Sequence, residues 1–450
     1  MSLPLLLIAA NLLGVVFLVL KFKDFGIGAL HLSSLFLFQT TGSISYLMGY
    51  ERIGTDVPAL LGTIVGRLVE YIVFFVLAYI IARVYIQTKK SREASRMVNR
   101  KSNPISFFPW FTLIRLLSLL ELALYVILFA FSIRIAGRLE LTQIQKVPYY
   151  ASVLSLMFYL SRGIPENKLN SVILAFLIPK LFVGFLGWRG SFAWLGIPLI
   201  VLAYGERAIS FAVRSMKTIL KLRISKIFLL LPWLILAIFL MLFALPTVIR
   251  GDSWSFLGER NVLAVFLGEF TGSPFWLGFQ NASLGSDADS ILWPVSSFID
   301  IYLQPFFSFG DAYEATPFNL PLRYDRYLTQ KILTPEALDQ GLGTGGSLSG
   351  ELSASSIDFS SLIGLIVGLL SAVIDHRSVG QSFILGKTLP AFARFMTLWI
   401  AAKIFYLPRG TITEVFDMIP LLTLIYFGVS GLLLISMRRS SFSRETKTEQ

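Results

Sequence analysis

The 450-residue chain has no cysteine and only two histidines, His31 and His376. The first absence removes disulfides, thiolate metal sites and cysteine nucleophiles. The second leaves little for a zinc site or a histidine general base. Charge is scarce as well: 15% of residues are charged and 55% hydrophobic, with a mean hydropathy of +0.71. That balance excludes an ordinary soluble domain and fits a polytopic membrane protein. There is no internal repeat of the kind found in many transporters. The GxxxxGK[ST] of a nucleotide-binding loop is missing too. Residues 4–20 are apolar, but Lys21 and Lys23 follow them rather than precede them, which is not the layout of a cleavable signal.

The net charge of +12 raises the question of nucleic acid, and its distribution answers it. Basic residues gather in short segments between apolar runs: Lys89 to Lys101, Arg207 to Lys226, and Arg438 to Lys447. This is the positive-inside pattern of a membrane protein, so no nucleic-acid partner is expected. Apolar runs of spanning length fall at 3–20, 27–48, 57–85, 109–133, 148–160, 169–186, 192–204, 227–248, 362–374, 389–405 and 418–437. They predict an all-α polytopic membrane protein of about eleven transmembrane helices. The shortest runs are 148–160 and 192–204. Placing the basic segments in the cytoplasm puts the N-terminus outside and the C-terminus inside. The expected organisation is a membrane bundle over residues 1–249, a large outward loop at 250–360, further spans over 361–437, and a basic cytoplasmic tail at 438–450.

The loop at 250–360 carries the main functional signal. Irregular backbone is not tolerated in lipid, so this stretch must lie in water or be buried in protein at one membrane face. An insert of such length usually carries function, here read as the catalytic loop of an enzyme acting on a lipid-borne substrate. The loop is rich in carboxylates, Glu269 and Glu351 among them. Outward arginines run against the positive-inside bias and are the more telling residues.

Arg189 sits in the tight Gly187-Trp188-Arg189-Gly190 turn between two apolar runs, and Arg409 in the Pro–Gly-bounded turn Tyr406-Leu407-Pro408-Arg409-Gly410. A guanidinium fork there suits a lipid pyrophosphate at the membrane boundary, and interfacial snorkelling is the plainer alternative. Arg250 ends a span, Arg260 lies in the loop, and Arg323 shares PLRYDRY with Asp325 and Arg326, either a basic clamp or a local ion pair. Glu351 follows the glycine-rich GLGTGGSLSG at 341–350. It reads as a general base or substrate anchor, or as an exposed carboxylate at a helix N-terminus. Within the spans, Arg67 is expected to pair with Glu70 and Arg115 with Glu121, and Lys180 to face the bundle interior or snorkel.

Three segments, LGWRGSF, GLGTGGSLSGELSA and YLPRGTITEVF, resemble those of Wzy-type O-antigen polymerases, a family of oligosaccharide repeat-unit polymerases. The overall layout is similar as well. After Glu351 the chain reads LSASSIDFSS, where the family's pattern runs through aromatic and Asn-Phe-Gly-like residues.

The resemblance implies a metal-independent membrane glycosyltransferase of the C-type fold, multi-pass in the bacterial inner membrane, with its active site facing the periplasm. Its substrates, donor and acceptor, are undecaprenyl-pyrophosphate-linked glycans. A chain-length-determinant copolymerase is an implied partner, besides membrane lipids, and no cofactor is implied. Arg189 and Arg409 are then the first candidates for binding pyrophosphate, with Arg250, Arg260 and Arg323 behind them. Glu351 is the first candidate base and Glu269 the second. An O-antigen ligase would use the same donor, but that family resembles itself in an outer-loop histidine that this chain lacks. A flippase for lipid-linked sugars is the alternative that forms no bond.

Overall fold

The computed structural model describes residues 3–20, 22–47, 57–93, 110–130, 139–162, 166–185, 199, 348–354, 359–378, 390–410, 412–415 and 419–448. Every regular element among them is helical. In chain order these are α1 (Leu3–Leu20), α2 (Phe22–Leu47), α3 (Val57–Glu93), α4 (Trp110–Ala130), α5 (Leu139–Arg162) and α6 (Glu166–Phe185). Then follow α7 (Leu348–Ala354), α8 (Ser360–Ser378), α9 (Ala391–Tyr406), a 3-10 turn (Leu407–Arg409), α10 (Ile412–Val415) and α11 (Ile419–Thr448).

Two segments, Ile64–Ile86 in α3 and Trp110–Ile127 in α4, are long and apolar enough to cross a membrane. Only 33% of the first and 28% of the second is buried. An apolar helix that is the core of a soluble protein would be mostly covered, whereas Val69, Val73, Ile81, Leu116 and Ile127 stand in the open. Shorter apolar helices lie at Gly26–Phe36, Ser360–Asp375 and Ile419–Ile435. The expected runs at 192–204 and 227–248, and the loop from 250 to 347, fall outside the described residues apart from Leu199.

Helix limits differ from the apolar runs where polar residues still favour a helix. α5 starts at Leu139 rather than at Pro148, because Glu140, Thr142, Gln143, Gln145 and Lys146 add helical turns that a hydropathy count cannot register. α11 runs on through the basic segment to Thr448 for the same reason, so the expected tail at 438–450 is largely helical.

Packing is closest between α3 and α8. A Cβ added at Gly364 would come 2.5 Å from the Tyr71 carbonyl oxygen, and one at Gly368 would meet the Phe75 carbonyl. The Gly364-Leu-Ile-Val-Gly368 spacing thus lets two helix backbones touch, as small residues four apart commonly do between membrane helices. α2 is broken at Gly26, whose φ of 40° and ψ of −116° suit only glycine. The helix restarts there with orphan N–H groups, and α8 supplies their acceptor. The Asp375 carboxylate takes the Ile27 N–H on Oδ1, and the Gly28 N–H at 3.1 Å and the Tyr79 hydroxyl at 2.8 Å on Oδ2.

α4, α5 and α6 are joined by a buried polar knot. Lys180 Nζ donates to Glu121 Oε2 at 2.6 Å and to Ser152 Oγ at 2.7 Å, and lies 4.2 Å from the centre of the Phe176 ring. Both charged side chains are fully buried. Glu121 therefore faces Lys180, not the expected Arg115, which lies on the exposed side of α4. Six positions place Arg115 and Glu121 on different helix faces. Arg67 and Glu70 do pair, loosely, at 3.9 Å.

Candidate functional site

The C-terminal end of α9 leads into the turn that contains Arg409, one of the sequence-predicted residues. Pro390 precedes the helix, and Phe395, Leu398, Trp399, Ala401 and Ile404 bury it among its neighbours. Pro408 ends it, having no N–H with which to continue. The chain turns through Leu407–Arg409, closed by a 3.0 Å bond from the Gly410 N–H to the Leu407 carbonyl, and restarts as α10.

α7 packs beside this turn and against α3. Leu348 and Leu352, four apart and so on one helix face, are both buried in the core. Glu351, next to Leu352, is 2% exposed and accepts the Ile412 N–H on Oε2 at 2.6 Å. A short contact of this kind, from a backbone amide to a carboxylate, is among the stronger hydrogen bonds. The reading of Glu351 as an exposed carboxylate is overturned: it is an internal clasp on the segment just after Arg409. GLGTGGSLSGELSA and YLPRGTITEVF, 61 residues apart at the bond itself, meet here.

On its α5 side, α9 borders a recess of only about 10 Å³ lined by Tyr149, Tyr150, Val153, Trp399, Lys403 and Tyr406. It has room for at most one water. Lys403 lies in the last helical turn, 5.1 Å over the Trp399 ring. This cation escapes a sequence reading because it sits inside the apolar run 389–405; its signal was a lysine in the last turn of a helix, where the helix dipole favours positive charge.

The turn is anchored from a third direction by His31. Its Nδ1 lies 2.9 Å from the Ile404 carbonyl and its Nε2 2.8 Å from the Tyr71 hydroxyl. A carbonyl can only accept, so Nδ1 carries the proton and Nε2 accepts from Tyr71. His31 thereby ties α2, α3 and α9 together. The backbone of Arg409 lies in the turn. Arg189, Arg250, Arg260, Glu269 and Arg323 lie outside the described residues. Set against known protein families, curated proteins and solved structures, the chain has no match.

Proposed function

We propose that the protein is a membrane glycosyltransferase that polymerises oligosaccharide repeat units carried on undecaprenyl pyrophosphate, at the periplasmic face of the bacterial inner membrane. The observation that carries this reading is the clasp between Glu351 and the Ile412 N–H. It unites two of the three segments that resemble the polymerase family and fixes the segment that follows the turn containing Arg409. The bundle of about eleven spans and its C-type character belong to the same proposal.

In the reaction a hydroxyl oxygen of the new repeat unit bonds to the anomeric carbon of the growing glycan. The bond from that carbon to the pyrophosphate oxygen breaks, and undecaprenyl pyrophosphate leaves with the electron pair. Arg189 and Arg409, backed by Arg250, Arg260 and Arg323, stabilise the charge on the leaving group. The hydroxyl proton passes to a carboxylate. The burial of Glu351 and its bond to Ile412 favour a positioning role for it, and Glu269 then becomes the preferred proton acceptor.

The test is the lipopolysaccharide banding of cells lacking the protein and of the same cells supplied with Arg189→Ala. Core bearing a single repeat unit in both, with the variant present at normal level in the membrane, is the expected result. Normal long chains from Arg189→Ala would remove that residue from the site. Core alone with long lipid-linked chains accumulating would make the protein a ligase, and core alone with only single lipid-linked units would make it a flippase.

A further inference from the structure

Burying a charge pair inside a helical bundle is costly, and apolar residues of similar volume often hold such a place as well or better. Cohesion of α4, α5 and α6 therefore does not account for Lys180 and Glu121, both fully buried. What the pair adds over an apolar contact is direction. Lys180 Nζ donates to Glu121 Oε2 and to Ser152 Oγ, and it faces two rings, Phe176 at 4.2 Å and Tyr149 at 5.3 Å from their centres. Ser152 Oγ in turn donates to the Tyr149 carbonyl at 2.7 Å. Pro148, inside α5, lacks the N–H of a regular turn and weakens the helix at that point. The knot pins the residues just after it.

Tyr149 is also where α5 meets the candidate site. It is 3% exposed and, with Tyr150 and Val153, forms one wall of the small recess. The opposite wall is Trp399, Lys403 and Tyr406 of α9. Tyr406 ends that helix, and the Leu407–Arg409 turn follows it directly. The recess holds only about 10 Å³, so the walls nearly touch and empty space cannot absorb a rotation of α5. The other end of the α5–α9 contact is held separately, where Arg394 Nη2 donates to the Ser161 carbonyl.

We propose that Lys180, Glu121 and Ser152 are positioning residues: they set Tyr149 against α9 and so fix the placement of the turn that contains Arg409. None of them touches substrate. Their hold on the packing stands by itself, while its consequence for catalysis rests on the polymerase reading.

Because the chain has no cysteine, introduced thiols can report the packing without interference. Val153→Cys and Ala402→Cys stand on opposite walls of the recess and should form a disulfide on mild oxidation of the full chain in detergent. Two backgrounds perturb the knot without leaving a charge stranded. Lys180→Met with Glu121→Leu removes both charges, and Ser152→Ala keeps the ion pair but removes its link to the Tyr149 carbonyl. In each, well below the unfolding midpoint and with helicity unchanged, disulfide formation should slow by about tenfold, or roughly 1.4 kcal/mol in the population of the packed arrangement. Without the cysteines, the same variants should polymerise with lower kcat per folded protein at unchanged KM for the lipid-linked repeat unit. An unchanged disulfide rate in either background overturns the inference, and so does a slowed rate with native kcat. A native protein that makes no polymer overturns the polymerase reading instead, and the disulfide rates then decide alone whether the knot sets the packing.

Discussion

Replacing Glu351 separates two roles that a carboxylate can play in this site. In Glu351→Ala the Ile412 N–H loses its 2.6 Å acceptor inside the protein. A hydrogen bond to a charged group contributes roughly 1.5–3 kcal/mol, and an orphaned buried donor costs about as much. At about 1.4 kcal/mol per tenfold, the population in which the Leu407–Arg409 turn is held should fall by roughly 10- to 100-fold, and polymer yield with it. Glu351→Gln keeps a carbonyl oxygen at the same reach. A neutral acceptor gives a bond about half as strong, so its loss should stay within roughly tenfold.

The assay is the length ladder of surface polysaccharide in cells lacking the native protein, normalised to the amount of variant in the membrane. Glutamine near wild type with alanine strongly impaired supports a positioning carboxylate. Glutamine as inactive as alanine, at equal membrane level and thermal stability, refutes it and returns Glu351 to the role of proton acceptor. Full activity in both variants removes the clasp from function altogether.

Two stability predictions test the packing independently of activity. Gly364→Leu forces a side chain into the backbone of α3, where even a Cβ would lie 2.5 Å from the Tyr71 carbonyl; overpacking of this kind costs about 1–3 kcal/mol, and thermal unfolding in detergent should shift down, while an unchanged midpoint would contradict the close approach. Lys180→Met strands the buried Glu121 carboxylate and should cost about 3–5 kcal/mol, whereas the Lys180→Met, Glu121→Leu double variant should recover most of it. A double variant no better than the single one would show that the pair is not coupled.

The apolar parts of the helices over 57–85, 109–133, 169–186, 362–374, 389–405 and 418–437 were legible, because a long apolar run satisfies its backbone polar groups within itself as a helix. Their polar extensions were not. The first half of α5 carries no hydropathic signal, and helix propensity alone is a weak prior. The Gly364–Gly368 spacing was present to be read and marks the α3–α8 contact, although nothing local says which helix approaches it. In the candidate site, Glu351 and Arg409 stood out by position in the sequence, while Lys403 was hidden inside an apolar run.

By itself, the sequence determined the helical class of the described residues, their apolar helical segments and the charged residues set within them, since each follows from composition read along the chain. Only the tertiary structure decided which partner each charge takes. Lys180 reaches Glu121 across 59 positions, Glu351 reaches Ile412 across 61, and Asp375 reaches Ile27 across 348. The cost of leaving a buried charge or amide unsatisfied makes such partners obligatory. Helix–helix packing alone chooses who they are, because the choice depends on which faces are brought together.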